Sequence, residues 1–597
     1  MGNLSEFQEK DFLDGIKTDS LPKVISDAIE LAKQLGERYL WIDRLCIVQD
    51  GDMKHTEIEH MDSIYSGAYF TVVAAASSGL LGDREARDQP NRQASPTFLY
   101  DQLLKSKWAT RGWTFQEQIL SRRAVIFIDG HVFWDCQRSV WSGYGPEHDA
   151  YAARPQAQLG HAMAVAVPST VFAEFRLYRE FVCLFSDRDL TYPQDALPAF
   201  SGIISSLSRT FPGGFVGGLP VLFLDAALLW QPFSKGKRRV PVQGRVPVQG
   251  RADDAGLSSA HIPSWSWCGW QVIVDPESLH SRALGWSDDR LRTQQLVQWS
   301  IMSDDLQREE KLPEPAILED YRARFLEGND TNFPEGWSRR NISYGGNTLP
   351  TTHPRLNHLF THITDPTKLF SYPIPIISPE ANGKPAYTQT WPYLCCKTTT
   401  GVFKVESISR QKSSGFWLEL GIVKVSVTSL EKFRMGPHQE KVCRVVSLAD
   451  AGGKAAGLLR IMDDAVIKPG QEMELMAISS GSMGWKDILT SFDEGVDLFA
   501  SVGYSHGNEG IHHYFERDPP LQGVMQGWRG WGSTRKEPLA ELGQWQASRP
   551  WGKGDYHFYN VLWIERKGGI AYRRAAGRVA KEVWEANCTK ETRVVLG

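Results

Sequence analysis

Tyr39-Leu-Trp-Ile-Asp-Arg-Leu-Cys-Ile-Val-Gln49 is the stretch whose interpretation decides the fold of this chain. Its first five residues form a short, nearly continuous apolar run ending on an acid, the pattern of a strand buried on both faces of a parallel sheet. Upstream, Ser20 is a predicted N-cap with Pro22 in the first turn. Val24, Ile25, Ala28, Leu31, Ala32 and Leu35 recur at the helical period, and Gly36 ends that helix. Downstream, the spacing of Ile58, Met61, Ile64, Tyr65 and Ala68 predicts a helix over about residues 55–67. Phe70-Thr-Val-Val-Ala-Ala75 and Ala124-Val-Ile-Phe-Ile128 predict two further buried strands. Such α-β-α-β order implies an α/β domain over residues 1–150, an open, mostly parallel sheet with flanking helices.

Beyond this domain the pattern changes. Residues 83–106 are polar and read as a loop, and residues 151–300 as a helical region ending in a tryptophan-rich strand, Pro263-Ser-Trp-Ser-Trp-Cys-Gly-Trp270. Within the second of these regions, Arg239-Val-Pro-Val-Gln-Gly244 is duplicated as Arg245-Val-Pro-Val-Gln-Gly250, a tandem expected of a surface loop. Residues 301–370, rich in Arg, Asn and Pro, read as a linker, and residues 371–597 as a β-rich domain. Val402-Phe-Lys-Val-Glu406, residues 416–427 and Lys441-Val-Cys-Arg-Val-Val446 predict strands there, and Gly568-Gly569 between apolar runs predicts a hairpin.

Composition excludes several classes. Of 597 residues, 42% are apolar and 23% charged, ordinary for a globular chain. A net charge of −4 offers no global attraction to nucleic acid or anionic membrane. The 8 cysteines form no CxxC pair and are too sparse for a disulfide scaffold, which fits a reducing, cytoplasmic setting. No window reaches the ~18 uninterrupted apolar residues of a membrane span. The 21 tryptophans predict large aromatic clusters between layers.

Residues 39–50 followed by Ile58, Met61, Ile64, Tyr65 and Ala68 resemble the central block of the fungal HET (heterokaryon incompatibility) domain. Thr110-Arg-Gly-Trp-Thr-Phe-Gln-Glu117, with Leu120-Ser121-Arg122, resembles its second block, and residues 263–270 a third block common in large members of that family. One departure stands out: the family's opening strand, approximately Leu-Ser-Tyr-x-Trp-Gly, has no counterpart before residue 39, so the domain is expected to lack its first strand. The resemblance implies self/non-self recognition and programmed cell death, with protein partners or self-association. It also implies a flavodoxin-like or TIR-like fold. Some TIR domains hydrolyse NAD with a glutamate, so NAD enters as a candidate substrate, with no cofactor required.

A glycosidic cleavage of that kind needs a carboxylate to stabilise an oxocarbenium-like transition state. The candidates are Asp43, Glu57 and Glu117. Asp43 would close a strand at the ligand-binding edge of the sheet, or cap the following turn. Glu57 falls on the apolar face of its helix, whereas Thr56-x-x-Glu59 fits a capping box. The family, however, often has Gln at the position of Glu57 and its recurrent Glu near Met53 or Asp52. Thr114-Phe-Gln-Glu117 also fits a capping box, a structural alternative for Glu117. Arg111 could pair with a phosphate or with a carboxylate, and Trp113 could pack the core or stack on a base. With Gln49 and Asp52 they complete the candidates for holding the nucleotide. Cys46 is expected to be a buried, inert thiol. Residues 263–270 are expected to form a packing seam rather than a carbohydrate platform. The alternative overall is a catalytically inert interaction or scaffold protein with a degenerate HET domain.

Overall fold

The computed structural model describes residues 21–47, 61–75, 102–103, 106–128, 131–136, 140–142, 175–211, 213–232, 236–240, 262–274, 292–313, 333, 335–339, 343–344, 347–348, 360–370, 387–388, 392–412, 417–420, 423–426, 442–461, 466–483, 556–588 and 590–597. Helix α1 (Lys23–Gln34) starts from Pro22, whose carbonyl accepts from the amides of Ile25 and Ser26 at 2.8 and 3.1 Å. The predicted cap Ser20 lies outside the described residues. Gly36 ends the helix at φ 75°, a left-handed conformation that a side chain would oppose.

The predicted strand at residues 39–43 is corrected by the structure. No ladder forms there, and Tyr39 is 88% exposed. A strand needs a neighbour for its backbone amides and carbonyls, and among the described residues this run has none. Trp41 instead turns toward the core and meets the Tyr65 ring edge-on at 5.8 Å. The chain then enters a short helix, α2 (Asp43–Cys46). Cys46, expected to be buried, is exposed.

Helix α3 (Met61–Gly67) buries Met61, Asp62 and Tyr65, and leads into strand β1 (Thr71–Ala74). After helices α4 (Lys107–Thr110) and α5 (Thr114–Leu120) come strands β2 (Arg123–Ile128), β3 (His131–Cys136) and β4 (Val140–Ser142). The order is β1-β2-β3-β4, with β1 and β2 parallel and the other two pairs antiparallel. The small N-terminal sheet is therefore mixed rather than mostly parallel. Its alternation is clear: Val72, Ala74, Val125 and Phe127 pack toward Ala28 and Leu31 of α1, while Val73, Ile126 and Ile128 face the main core.

The middle of the chain supplies helices α6 (Phe175–Phe185) and α7 (Ser201–Ser208). The predicted tryptophan-rich strand is a 3-10 turn, Trp267–Gly269, followed by Trp270–Gln271 paired with Lys237–Arg238. Ser266 explains the difference, because its hydroxyl accepts from the Cys268 amide and caps the turn. Trp265, Trp267 and Trp270 are all buried regardless. Arg239, the first residue of the tandem repeat, is buried as well, whereas residues 241–250 lie outside the described residues.

The large C-terminal sheet comprises β5 (Arg292–Gln295), β6 (Ser300–Met302), β7 (Glu309–Lys311), β8 (Tyr393–Lys412), β9 (Val442–Ala449), β10 (Ala455–Ile461), β11 (Glu472–Met483), β12 (Tyr556–Lys567), β13 (Ile570–Ala580) and β14 (Glu591–Leu596). Residues 301–370, expected to be a linker, thus contribute β6 and β7, and a further three-stranded sheet forms from Trp337–Arg339, Phe360–His362 and Asp365–Phe370. Polar composition concealed β7 because it is an edge strand whose side chains are all exposed. Strands β8-β9-β10-β13-β12-β11 follow one another in antiparallel order, and β11 pairs back onto β8 through residues 400–404, so the six close into a ring. Closure leaves none of the six with an open edge over those pairings. Gly568 and Gly569, at φ 58° and 86°, make the predicted hairpin turn between β12 and β13. A single buried cluster runs from Met61 through Phe115, Phe181, Trp265 and Phe403 to Leu596.

Candidate functional site

Of the two candidate carboxylates among the described residues, Asp43 and Glu117, Glu117 has the more built surroundings. It lies in α5, and its carboxyl accepts from the Trp108 indole of α4 at 3.0 Å. The Tyr65 phenol of α3 also engages it. The predicted capping box is not formed. Thr114 sits inside the helix, and its hydroxyl donates to the carbonyls of Trp108 and Arg111 at 2.6 and 2.8 Å. With Thr114 so engaged, Glu117 is left to tie α3 and α4 to α5.

Burial raises the Glu117 carboxyl above the ordinary glutamate range. The Trp108 hydrogen bond and the charges of Arg111 and Arg188 pull the other way, and Asp43 adds to the rise. Burial, followed by the charges of Glu117 and Asp43, holds the Tyr65 phenol far above its ordinary value. Asp43, Arg111 and Glu117 are therefore near enough to act on one another electrostatically. Asp43 itself opens α2, is exposed, and accepts from the neighbouring Arg44 amide at 2.7 Å, while the helix start carries no side-chain cap. Arg111 is exposed and Trp113 is partly buried against the core. Gln49, Asp52, Glu57 and Glu59 lie outside the described residues.

The Ser121 hydroxyl donates to the Glu117 carbonyl at 2.5 Å and meets the Thr71 hydroxyl at 2.6 Å, and Thr71 begins β1. The Glu117 backbone carbonyl is thus tied to the C-terminal end of α5, beside the start of β1 and β2.

Buried arginines without a signature in the local sequence surround this region. Arg188 covers the Phe115 ring at 4.7 Å and donates to the Arg111 carbonyl, the Thr114 hydroxyl and the Gln118 amide oxygen at 3.2, 3.3 and 3.3 Å. The Asp189 amide donates to the Thr110 carbonyl at 2.7 Å, and the Gly112 amide to the Asp189 carbonyl at 2.8 Å. Behind them, Arg239 donates to the carbonyls of Ser186, Arg188 and Trp270 at 3.0, 3.0 and 3.1 Å. Arg573 of β13 covers Trp230 at 4.3 Å and donates to the carbonyls of Leu228, Trp230 and Trp265. No local pattern announces such arginines, since their acceptors are backbone carbonyls brought together only by folding.

Among the described residues no group of three or more His, Cys, Asp or Glu side chains could hold a metal ion, and no helix is long and apolar enough to cross a membrane. No curated protein and no solved structure matches the chain. The family model described as heterokaryon incompatibility protein (HET) matches residues 3–117, ending on Glu117 itself.

Proposed function

We propose that this protein acts in heterokaryon incompatibility, the fungal discrimination of self from non-self, and that its HET segment works through contacts with protein partners or a second copy while the β-rich body presents it. The observation that carries this reading is the continuous core from Met61 to Leu596, which builds the HET helices and the C-terminal ring into one interior. The Glu117 carboxyl supports it too, because its contacts with Trp108 and Tyr65 join three helices.

A second reading, NAD-directed cleavage by a TIR-like unit, is favoured by one specific observation. Glu117 has a raised pKa beside the exposed Asp43 and Arg111, and carboxylates in contrasting environments are the usual arrangement for dividing acid and base roles. Arg111 would then meet a phosphate and Trp113 a base.

Expression of the full chain in a fungal host, scored for growth arrest on hyphal fusion, separates the two. The contact reading expects Glu117→Gln, which keeps an oxygen for Trp108, to arrest growth like the wild type. Loss of arrest in a Glu117→Gln protein that is folded and abundant would favour the catalytic reading.

A further inference from the structure

We propose that Arg188 is the joint that positions the HET segment on the rest of the molecule, so that a disturbance of the tryptophan block at residues 262–274 reaches residues 110–118 without touching them. The proposal deepens the contact reading, and its test does not use incompatibility as a readout.

The geometry is a two-step relay. In the first step the Arg188 guanidinium spans the start of α5, reaching the Arg111 carbonyl, Thr114 Oγ1 and Gln118 Oε1 while lying over Phe115. Flanking backbone bonds between Thr110, Gly112 and Asp189 hold the same turn. In the second step the Arg188 carbonyl accepts from Arg239, whose guanidinium also donates to the Trp270 carbonyl of the tryptophan block. Arg239 is buried and makes no hydrogen bond to residues 110–118. Burial lowers its pKa to about 10, leaving it charged at neutral pH. Charge-assisted bonds from a planar guanidinium to several carbonyls fix distance and angle together, which a single packing contact does not.

The test is amide hydrogen exchange on the full chain, comparing wild type with Arg188→Met, Arg188→Lys and Arg239→Met. Arg188→Met should speed exchange at residues 110–120 by roughly tenfold or more while β12 and β13 keep wild-type rates. Arg239→Met should speed exchange at the same residues although it removes no bond made to them. A second readout follows the ionisation of Glu117, which faces Tyr65 of α3, Trp108 of α4, Asp43 of α2, Arg111 and Arg188. By infrared difference titration, Arg188→Met should move its midpoint upward, and Arg188→Lys should hold the midpoint while still loosening residues 110–120. Should Arg188→Met fail to fold, Arg188→Lys and Arg239→Met carry the test. Unchanged exchange at residues 110–120 in Arg239→Met, or equal acceleration everywhere in the chain, overturns the proposal.

Discussion

Glu117 carries a cost that its surroundings only partly offset. Burial disfavours its charge, and the donors around it, Trp108 and Tyr65, are neutral groups. The consequence for stability has a definite sign. Its folded pKa is raised, so the folded chain holds the proton over a pH range in which the unfolded chain has released it. Stability from this group is complete below the ordinary glutamate range and is lost as pH rises from there to the raised folded value. Glu117→Gln is neutral throughout and removes that slope. In urea unfolding followed against pH, the two proteins should agree within about 0.5 kcal/mol in acid, and the variant should become the more stable as pH rises. Parallel profiles across that range would mean that the carboxyl is not desolvated in the folded protein.

At the scale of elements, the ring of β8 to β13 depends on close backbone approach. A Cβ on Gly577 would lie 2.0 Å from the Leu458 carbonyl of β10 and 2.7 Å from a methyl of Leu459. Gly577→Ala should therefore lower stability by about 1–3 kcal/mol, whereas Gly67→Ala, with nothing within 4 Å of its Cβ, should stay within about 0.5 kcal/mol. Equal denaturation midpoints for the two variants would contradict the packing described. The same scale shows what could be read from the sequence. Strands β1 and β2 were legible because both their faces meet apolar neighbours, one face in the main core and the other partly buried against α1, which makes them continuous apolar runs. The hairpin at Gly568 and Gly569 was legible because both turn positions have positive φ, which glycine adopts without strain. Residues 39–43 have the same apolar character as β1, but strand pairing is a property of two segments, and no local signal reported the missing neighbour. The period-two pattern of Trp265 and Trp267 misled for another reason: a serine-capped 3-10 turn buries alternate indoles equally well. Around the site, Glu117 was visible through its spacing to Thr114, yet the capping role was wrong because Thr114 donates backward. Arg188, 74 residues from Thr114, left no trace in local sequence.

Across the whole molecule, the HET match stops at residue 117, but the packing does not. Phe115 stacks on Phe200 at 6.0 Å, Phe200 meets Trp267 at 5.0 Å, and Trp265 reaches the Pro392 carbonyl just ahead of β8. This aromatic path ties α5 to the middle of the chain, and on the contact reading proposed above the Glu117 carboxyl, partly buried against Trp108, serves as a brace. The most direct measurement is the rate of nicotinamide release from NAD by the purified, self-associated full chain, set beside Glu117→Gln. The account predicts that wild type and variant release nicotinamide at the same background rate. Release by the wild type that falls by about 10²-fold or more in Glu117→Gln, the loss expected on removing a general acid or base, would contradict it.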